Sequence, residues 1–180
     1  MKAKQLLSIA VLTAFFAVAF LSGCAKKEST PEGVFVANLW WDKANLDSGY
    51  YTFDEANALA AAYGKRLPTI EEFKLLCQKP QRWDTERRGK WFAENEVDLG
   101  NPEKALFLPA AGSRSPWYNE GALSGQGVFG YYWSSMEKDS IEGYQACYVY
   151  YCGFYLDSIE SIWGINADKA VSSSVRCVAK

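Results

Sequence analysis

Histidine is absent from the 180 residues, and that absence removes more chemistry than any other feature of the chain. Without it there is no Ser-His-Asp or Cys-His nucleophile pair, no zinc site of the histidine type and no side chain that ordinarily titrates near pH 7. Excess charge of one sign is also missing. The 19 basic residues stand against 21 acidic ones, so there is no electrostatic footprint for nucleic acid. No C-x-x-C pair occurs, and nothing repeats at the roughly 20 to 50 residue period of solenoids and arrays. What the chain has in quantity is aromatic side chains, 7 Trp, 11 Tyr and 10 Phe, within a composition that is 49% hydrophobic and 22% charged. That is the composition of a globular domain with a real core, and the length fits one such domain.

Lys2 and Lys4 precede an apolar run from Leu6 to Leu21 that ends in Leu21-Ser22-Gly23-Cys24. Residues 1–23 read as a signal peptide, the alternative being an uncleaved membrane anchor. Leu-Ser-Gly-Cys resembles the bacterial lipoprotein processing box, which implies that Cys24 carries lipid and becomes the mature N-terminus, tied to the membrane. Ala25 in the next position, where an aspartate would favour inner-membrane retention, points by the same analogy to the outer membrane. Five cysteines are an odd number for an exported chain, and lipidation of Cys24 leaves an even four. Residues 24–33 are polar, end in Pro and Gly, and read as a short tether.

In the remaining chain, 34–180, two helices are signalled early. Thr52 with Glu55, and Thr69 with Glu72, are capping boxes. Phe53, Ala56, Ala60 and Tyr63 make one apolar stripe, closed by Gly64. Ile70, Phe73, Leu76 and Cys77 make the second, closed by Pro80. Beyond Pro80 short aromatic and β-branched runs alternate with turn residues, which predicts strands at 34–37, 105–108, 131–134, 144–151, 153–156 and 174–178. Residues 83–101 read as a long loop with a possible strand at Trp91-Phe92. The fold class is therefore α+β, with two helices packed on short, twisted, mainly antiparallel sheets.

Four strings carry a more specific signal: Gly64-Lys65-Arg66-Leu67-Pro68-Thr69 leading into Glu71-Glu72-Phe73, then Leu108-Pro109-Ala110-Ala111-Gly112-Ser113-Arg114, then Gly130-Tyr131-Tyr132-Trp133-Ser134-Ser135, and finally Ser174-Val175-Arg176-Cys177-Val178. Together they resemble the Fibrobacter succinogenes major paralogous domain family, over 34–180. That family is similar to the C-type-lectin-like fold, so the resemblance implies a single domain whose first and last strands lie together. Ser172-Ser173 stands where the family usually has Gly-Phe. The Glu-Pro-Asn, Gln-Pro-Asp and Trp-Asn-Asp sequences of calcium-dependent sugar sites do not occur, and Asn101-Pro102-Glu103 reads as a turn. By analogy with C-type-lectin-like domains, Cys77 pairs with Cys177, leaving Cys147 with Cys152. The alternative is reduced, buried thiols.

The binding candidates lie on aromatic segments. In a strand over 144–151, Tyr144, Tyr148 and Tyr150 share one face, and Tyr155 and Asp157 continue a polar, aromatic surface beyond it. Tyrosines give rigid, amphipathic contact area suited to glycan rings and to protein partners, though a covered aromatic ladder would use the same residues. Trp117, Tyr118 and Asn119 sit in a glycine-bounded loop that either contacts ligand or packs over the sheet. Trp133 and Arg176 read as core packing and a buried hydrogen-bond network. The acids Asp84, Glu86, Glu94, Glu96 and Asp98 read as solvated surface. Calcium has no ligand spacing to support it, and no other cofactor or metal site is indicated. The function these features imply is a lipid-anchored envelope domain that binds or adheres to glycan or protein, without nucleic acid and without catalysis. The rival readings are a subunit of a surface assembly and, behind it, a formylglycine-generating-like enzyme. A further version makes residues 117–163 a diversifiable surface.

Overall fold

The structure is a computed structural model that describes residues 32–137, 146–152 and 163–180. Cys24 and the signal segment, as well as Tyr144, Tyr155, Asp157 and the strand expected at 153–156, lie outside the described residues. No helix among the described residues is long and apolar enough to cross a membrane.

Helix α1 spans Phe53–Ala62 and α2 spans Ile70–Cys77. Both start where a threonine and a glutamate three residues later satisfy otherwise orphaned backbone donors. At α2 the box is complete: Glu72 N–H donates to Thr69 Oγ1 at 3.1 Å, and Thr69 N–H donates to Glu72 Oε2 at 2.7 Å. At α1 the Glu55 carboxylate accepts from the Thr52 backbone and hydroxyl at 2.9 and 2.8 Å. Gly64 follows α1 at φ +68°, the left-handed conformation that ends a helix without a Cβ penalty. Phe53, Ala56 and Ala60 are buried as their spacing requires, whereas Tyr63 is 62% exposed because the helix ends before it turns back to the core. All four residues of the second stripe are buried.

Strands β1 (Val34–Val36) and β2 (Leu39–Trp41) form an antiparallel hairpin. Its two turn residues, Ala37 and Asn38, have φ of 55° and 61°, the twist that two-residue hairpins favour. Strands β3 (Gln81–Asp84), β4 (Gly89–Ala93) and β5 (Ala105–Pro109) form a second antiparallel sheet in the order β3-β4-β5. The first part of the segment expected to be a loop is thus a regular hairpin, whose second strand contains the strand expected at Trp91-Phe92, while 94–101 is irregular apart from one 3-10 turn at Glu96–Asp98. Two of its five acids, Asp84 and Glu94, also have structural work. Asp84 accepts from the backbones of Glu86 and Arg87 and from Trp91 Nε1, and Glu94 accepts from Ala37 N–H and Lys79 Nζ, both at 2.5 Å. The short pair β6 (Ser113–Arg114) and β7 (Leu123–Ser124) is followed by β8 (Phe129–Glu137), β9 (Ala146–Cys152) and β10 (Trp163–Ala167), which form a third sheet in the order β10-β9-β8.

Residues 174–178 make no regular strand. The C-terminal segment instead exchanges bonds with several elements: Asp42 N–H with Cys177 O, Leu46 N–H with Val175 O, Arg66 and Val178 with each other, and Ser174 N–H with Tyr131 O. Ala179 N–H donates to Trp40 O, so the end of the domain lies against its first hairpin. The four strings meet around this segment. Ser135 N–H donates to Pro68 O at 2.8 Å, Gly112 N–H to Phe129 O at 2.8 Å, and Tyr132 Oη to Pro109 O at 2.7 Å.

Two main apolar clusters flank the segment. One joins Trp41, Phe73, Leu76, Phe92, Leu106 and Tyr132, and the other joins Phe53, Ala56, Leu67, Trp133, Val175 and Cys177. The expected disulfides do not form. Cys77 and Cys177 are free and buried in different clusters, and the Cys77 thiol donates to Phe73 O within its own helix. Cys147 and Cys152 lie five positions apart along the single strand β9, which at about 3.3 Å per residue separates their Cα atoms by about 16 Å, beyond disulfide reach.

Candidate functional site

A cleft of about 780 Å³ opens between the connection from β2 to α1, the turn from β3 to β4, and the segment that follows β5. Its first wall is the connection 42–52, pinned to the C-terminal segment at Asp42, Leu46 and Tyr51. Asp47 sets the curve of this wall by accepting from Gly49 N–H at 2.6 Å and from the Tyr51 hydroxyl. Below it lies Arg176, 1% exposed. Its guanidinium donates to Asn45 Oδ1 from Nε and Nη2 at 3.0 and 2.8 Å, to Asp42 O at 2.7 Å and to Phe107 O at 2.9 Å. A planar fork can reach three acceptors on two elements at once, and in doing so it ties the first wall to β5.

The second wall is the tight turn Asp84-Thr85-Glu86-Arg87-Arg88. Asp84 closes it through the Glu86 and Arg87 backbones, and Ala110 N–H donates to Arg88 O at 2.8 Å. Arg88 sits at φ 54°, an unusual position for a long side chain, and both arginines are exposed. The Arg87 guanidinium lies 5.4 Å from the Trp91 ring centre and 4.0 Å from the Asp84 carboxylate.

The floor is Phe107, Pro109, Ala110 and Ala111. Gly112 follows at φ +74°, where a Cβ would come within 2.3 Å of Ser124 O, so the floor can meet the β6–β7 hairpin only with glycine there. Tyr50 closes one end, its hydroxyl bonded to Ala111 O and its ring 5.3 Å from the Arg114 guanidinium. Burial raises the Tyr50 pKa and Arg114 partly offsets it. Under the floor, burial pushes the Tyr132 hydroxyl up to about 12, so it is a fixed donor to Pro109 O throughout the ordinary pH range.

The residues nominated from sequence are elsewhere. Trp117 and Tyr118 project from the β6–β7 loop, each 66% exposed, so the alternative in which they pack over the sheet does not hold. Their loop is closed by Tyr118 N–H to Ser115 O and by Arg114 Nη1 to Gly121 O, and Asn119 precedes Glu120, which turns the chain at φ 54°. Tyr148 and Tyr150 lie in β9, in register with the buried Trp133 and the half-buried Tyr131 of β8. Trp133 and Arg176 are the buried, hydrogen-bonded residues that their strings suggested. Lys43, Arg87, Arg88 and Gln126 are cleft residues that sequence reasoning passed over. The one available signal was the pair of arginines before a glycine between two aromatic runs.

Chemically, the cleft offers guanidinium and ammonium groups, amides, hydroxyls and two aromatic rings. Its one carboxylate, Asp47, is engaged within its own loop. Among the described residues no group of three His, Cys, Asp or Glu side chains is placed to hold a metal ion. Compared with protein-family models, curated proteins and solved structures, the chain matches none of them.

Proposed function

We propose that this chain is a lipid-anchored binding domain of the cell envelope, held to the membrane through Cys24, and that the cleft between the 42–52 connection and the Arg87-Arg88 turn receives its ligand, a glycan or a surface protein. The observation that carries the reading is the cleft itself. It has the size of a small-ligand site, roughly 300 to 1,000 Å³, and backbone hydrogen bonds to neighbouring segments hold both walls. A C-type-lectin-like fold is the architecture we assign. It is supported by the two early helices, by the return of the chain's end to its first hairpin and by the bonding of the four strings to one another. The exposed pair Trp117 and Tyr118, on a hairpin joined to the cleft through Arg114 and Tyr50, supplies a second contact surface beside it.

The test is a panel of glycans and envelope proteins probed with the purified full-length chain and two variants. Ser48→Trp fills the cleft from an exposed loop position, and the double change Trp117→Ala, Tyr118→Ala strips the hairpin tip. Saturable binding that S48W abolishes and the tip variant at most weakens is the expected result. Binding unaffected by S48W would move the site out of the cleft, and a panel with no binder would overturn the binding reading in favour of a subunit of a surface assembly.

A further inference from the structure

The charge of the cleft runs against the charge of the chain. Overall the chain carries a net charge of −2, yet four basic side chains, Lys43, Arg87, Arg88 and Arg176, line the cleft against the single carboxylate of Asp47. Asp47 is turned into its own loop by Gly49 and Tyr51. Lys43 is paired with Glu103 on the exposed rim. The arginines are less committed. Arg88 makes no ion pair among the described residues, and the nearest carboxylate to Arg87 is 4.0 Å away and already accepts from Trp91 and two backbone amides. Arg176 is fixed beneath them with its charge retained, since a guanidinium does not deprotonate in a protein. A concave, low-dielectric wall focuses such a field into the cleft.

Resting on the binding reading above, we infer that the cleft selects an acidic saccharide: a carboxylate- or sulfate-bearing sugar whose anionic group is held by Arg87 and Arg88 and whose hydroxyls face Ser48 and Gln126. Both arginines line the cleft, and a guanidinium matches the planar, bidentate geometry of a carboxylate or sulfate, where a lysine would offer only a point charge. The remaining lining explains why a sugar suits the cleft better than a bare anion or an acidic peptide. Ser48 and Gln126 stand exposed on the walls as hydroxyl-directed donors and acceptors, and the Tyr50 and Phe107 rings give apolar faces for the ring carbons.

The experiment is a calorimetric titration of the full-length chain with four probes: a uronic-acid disaccharide, its carboxyl-reduced neutral counterpart, inorganic sulfate and a short Asp/Glu peptide. The double variant Arg87→Gln, Arg88→Gln is compared with Arg82→Gln, an exposed arginine outside the cleft, after circular dichroism has shown that each is folded. The expected result is that the uronic-acid disaccharide binds at least tenfold more tightly than its neutral counterpart, that added salt weakens it, and that R87Q/R88Q erases the difference while R82Q leaves it. Equal affinity for the neutral disaccharide overturns the acidic selectivity and leaves the binding reading standing. Sulfate or the peptide binding as tightly as the disaccharide overturns the saccharide assignment. Silence of all four probes overturns this inference, while the wider panel separately decides whether the chain binds anything at all.

Discussion

Arg176 shows most plainly how one side chain holds the site. It is buried, and its three nitrogens bridge Asn45, the Asp42 carbonyl and the Phe107 carbonyl, which belong to the cleft wall and to β5. Replacing it with methionine keeps the volume but leaves those acceptors without their donor, at a cost of about 3 kcal/mol or more. Denaturant unfolding of Arg176→Met measures this, and a change within about 0.5 kcal/mol, typical of an inert surface site, would contradict the bridging role. The cysteines give a second test at this scale. Burial pushes the Cys77 thiol up to about 12, and burial with the Asp42 carboxylate beside it pushes Cys177 up to about 11. Neither forms the reactive thiolate at pH 8. Alkylation should therefore reach both only after unfolding, without any reductant, whereas a peptide linking Cys77 to Cys177 in the unreduced protein would refute the free thiols. The disulfide expectation failed because it came from analogy, while the packing puts each thiol in a separate apolar cluster.

Elements were legible in the sequence where their causes are local. Each helix announces itself within four residues, through Thr52 with Glu55 and Thr69 with Glu72, and the buried stripes follow from spacing alone. The β3–β4 hairpin was hidden because its strands break the usual pattern. Three of the four residues of Gln81–Asp84 are polar, and β4 buries Lys90 directly before Trp91 and Phe92. Residues 174–178 have strand composition but no single partner, so they become a series of separate bridges. Two glutamates tie these elements to pH. Burial raises the Glu72 pKa, but the bidentate Arg66 pair and the Thr69 bonds outweigh it, and the net pKa lies below the ordinary carboxylate value. Glu94 is likewise lowered, chiefly by Lys79, while it holds the strained Ala37 turn. A carboxylate with a lowered folded pKa contributes stability above its unfolded value, about 4.3, and loses that contribution as pH falls through its folded value. Unfolding free energy should accordingly decline from pH 5 downward. In the double variant Glu72→Gln, Glu94→Gln the decline should be shallower and begin from a lower stability; identical pH curves for the two proteins would show that neither carboxylate is coupled to folding.

At the scale of the whole molecule, the site could not be seen in the sequence because no stretch of chain contains it. Lys43 and Tyr50, Arg88, Gln126 and Arg176 come from four separate segments, joined only when the chain's end threads between the 42–52 connection and β8. The aromatic residues drew attention first, since they are numerous and local, yet the arginines define the cleft. Anchoring can be tested apart from binding: Cys24→Ser should abolish incorporation of a clickable fatty acid and release the chain from membranes, and labelling that persists in C24S would remove the lipid anchor from the account. The claim on which everything else depends is that ligand sits in this cleft. It is tested most directly by recording amide nuclear magnetic resonance spectra of the 15N-labelled chain during titration with the uronic-acid disaccharide. Shifts concentrated at residues 43–50, 87–88 and 126–127 are the result expected. Shifts confined to the 115–121 loop or to β8 and β9 would contradict it.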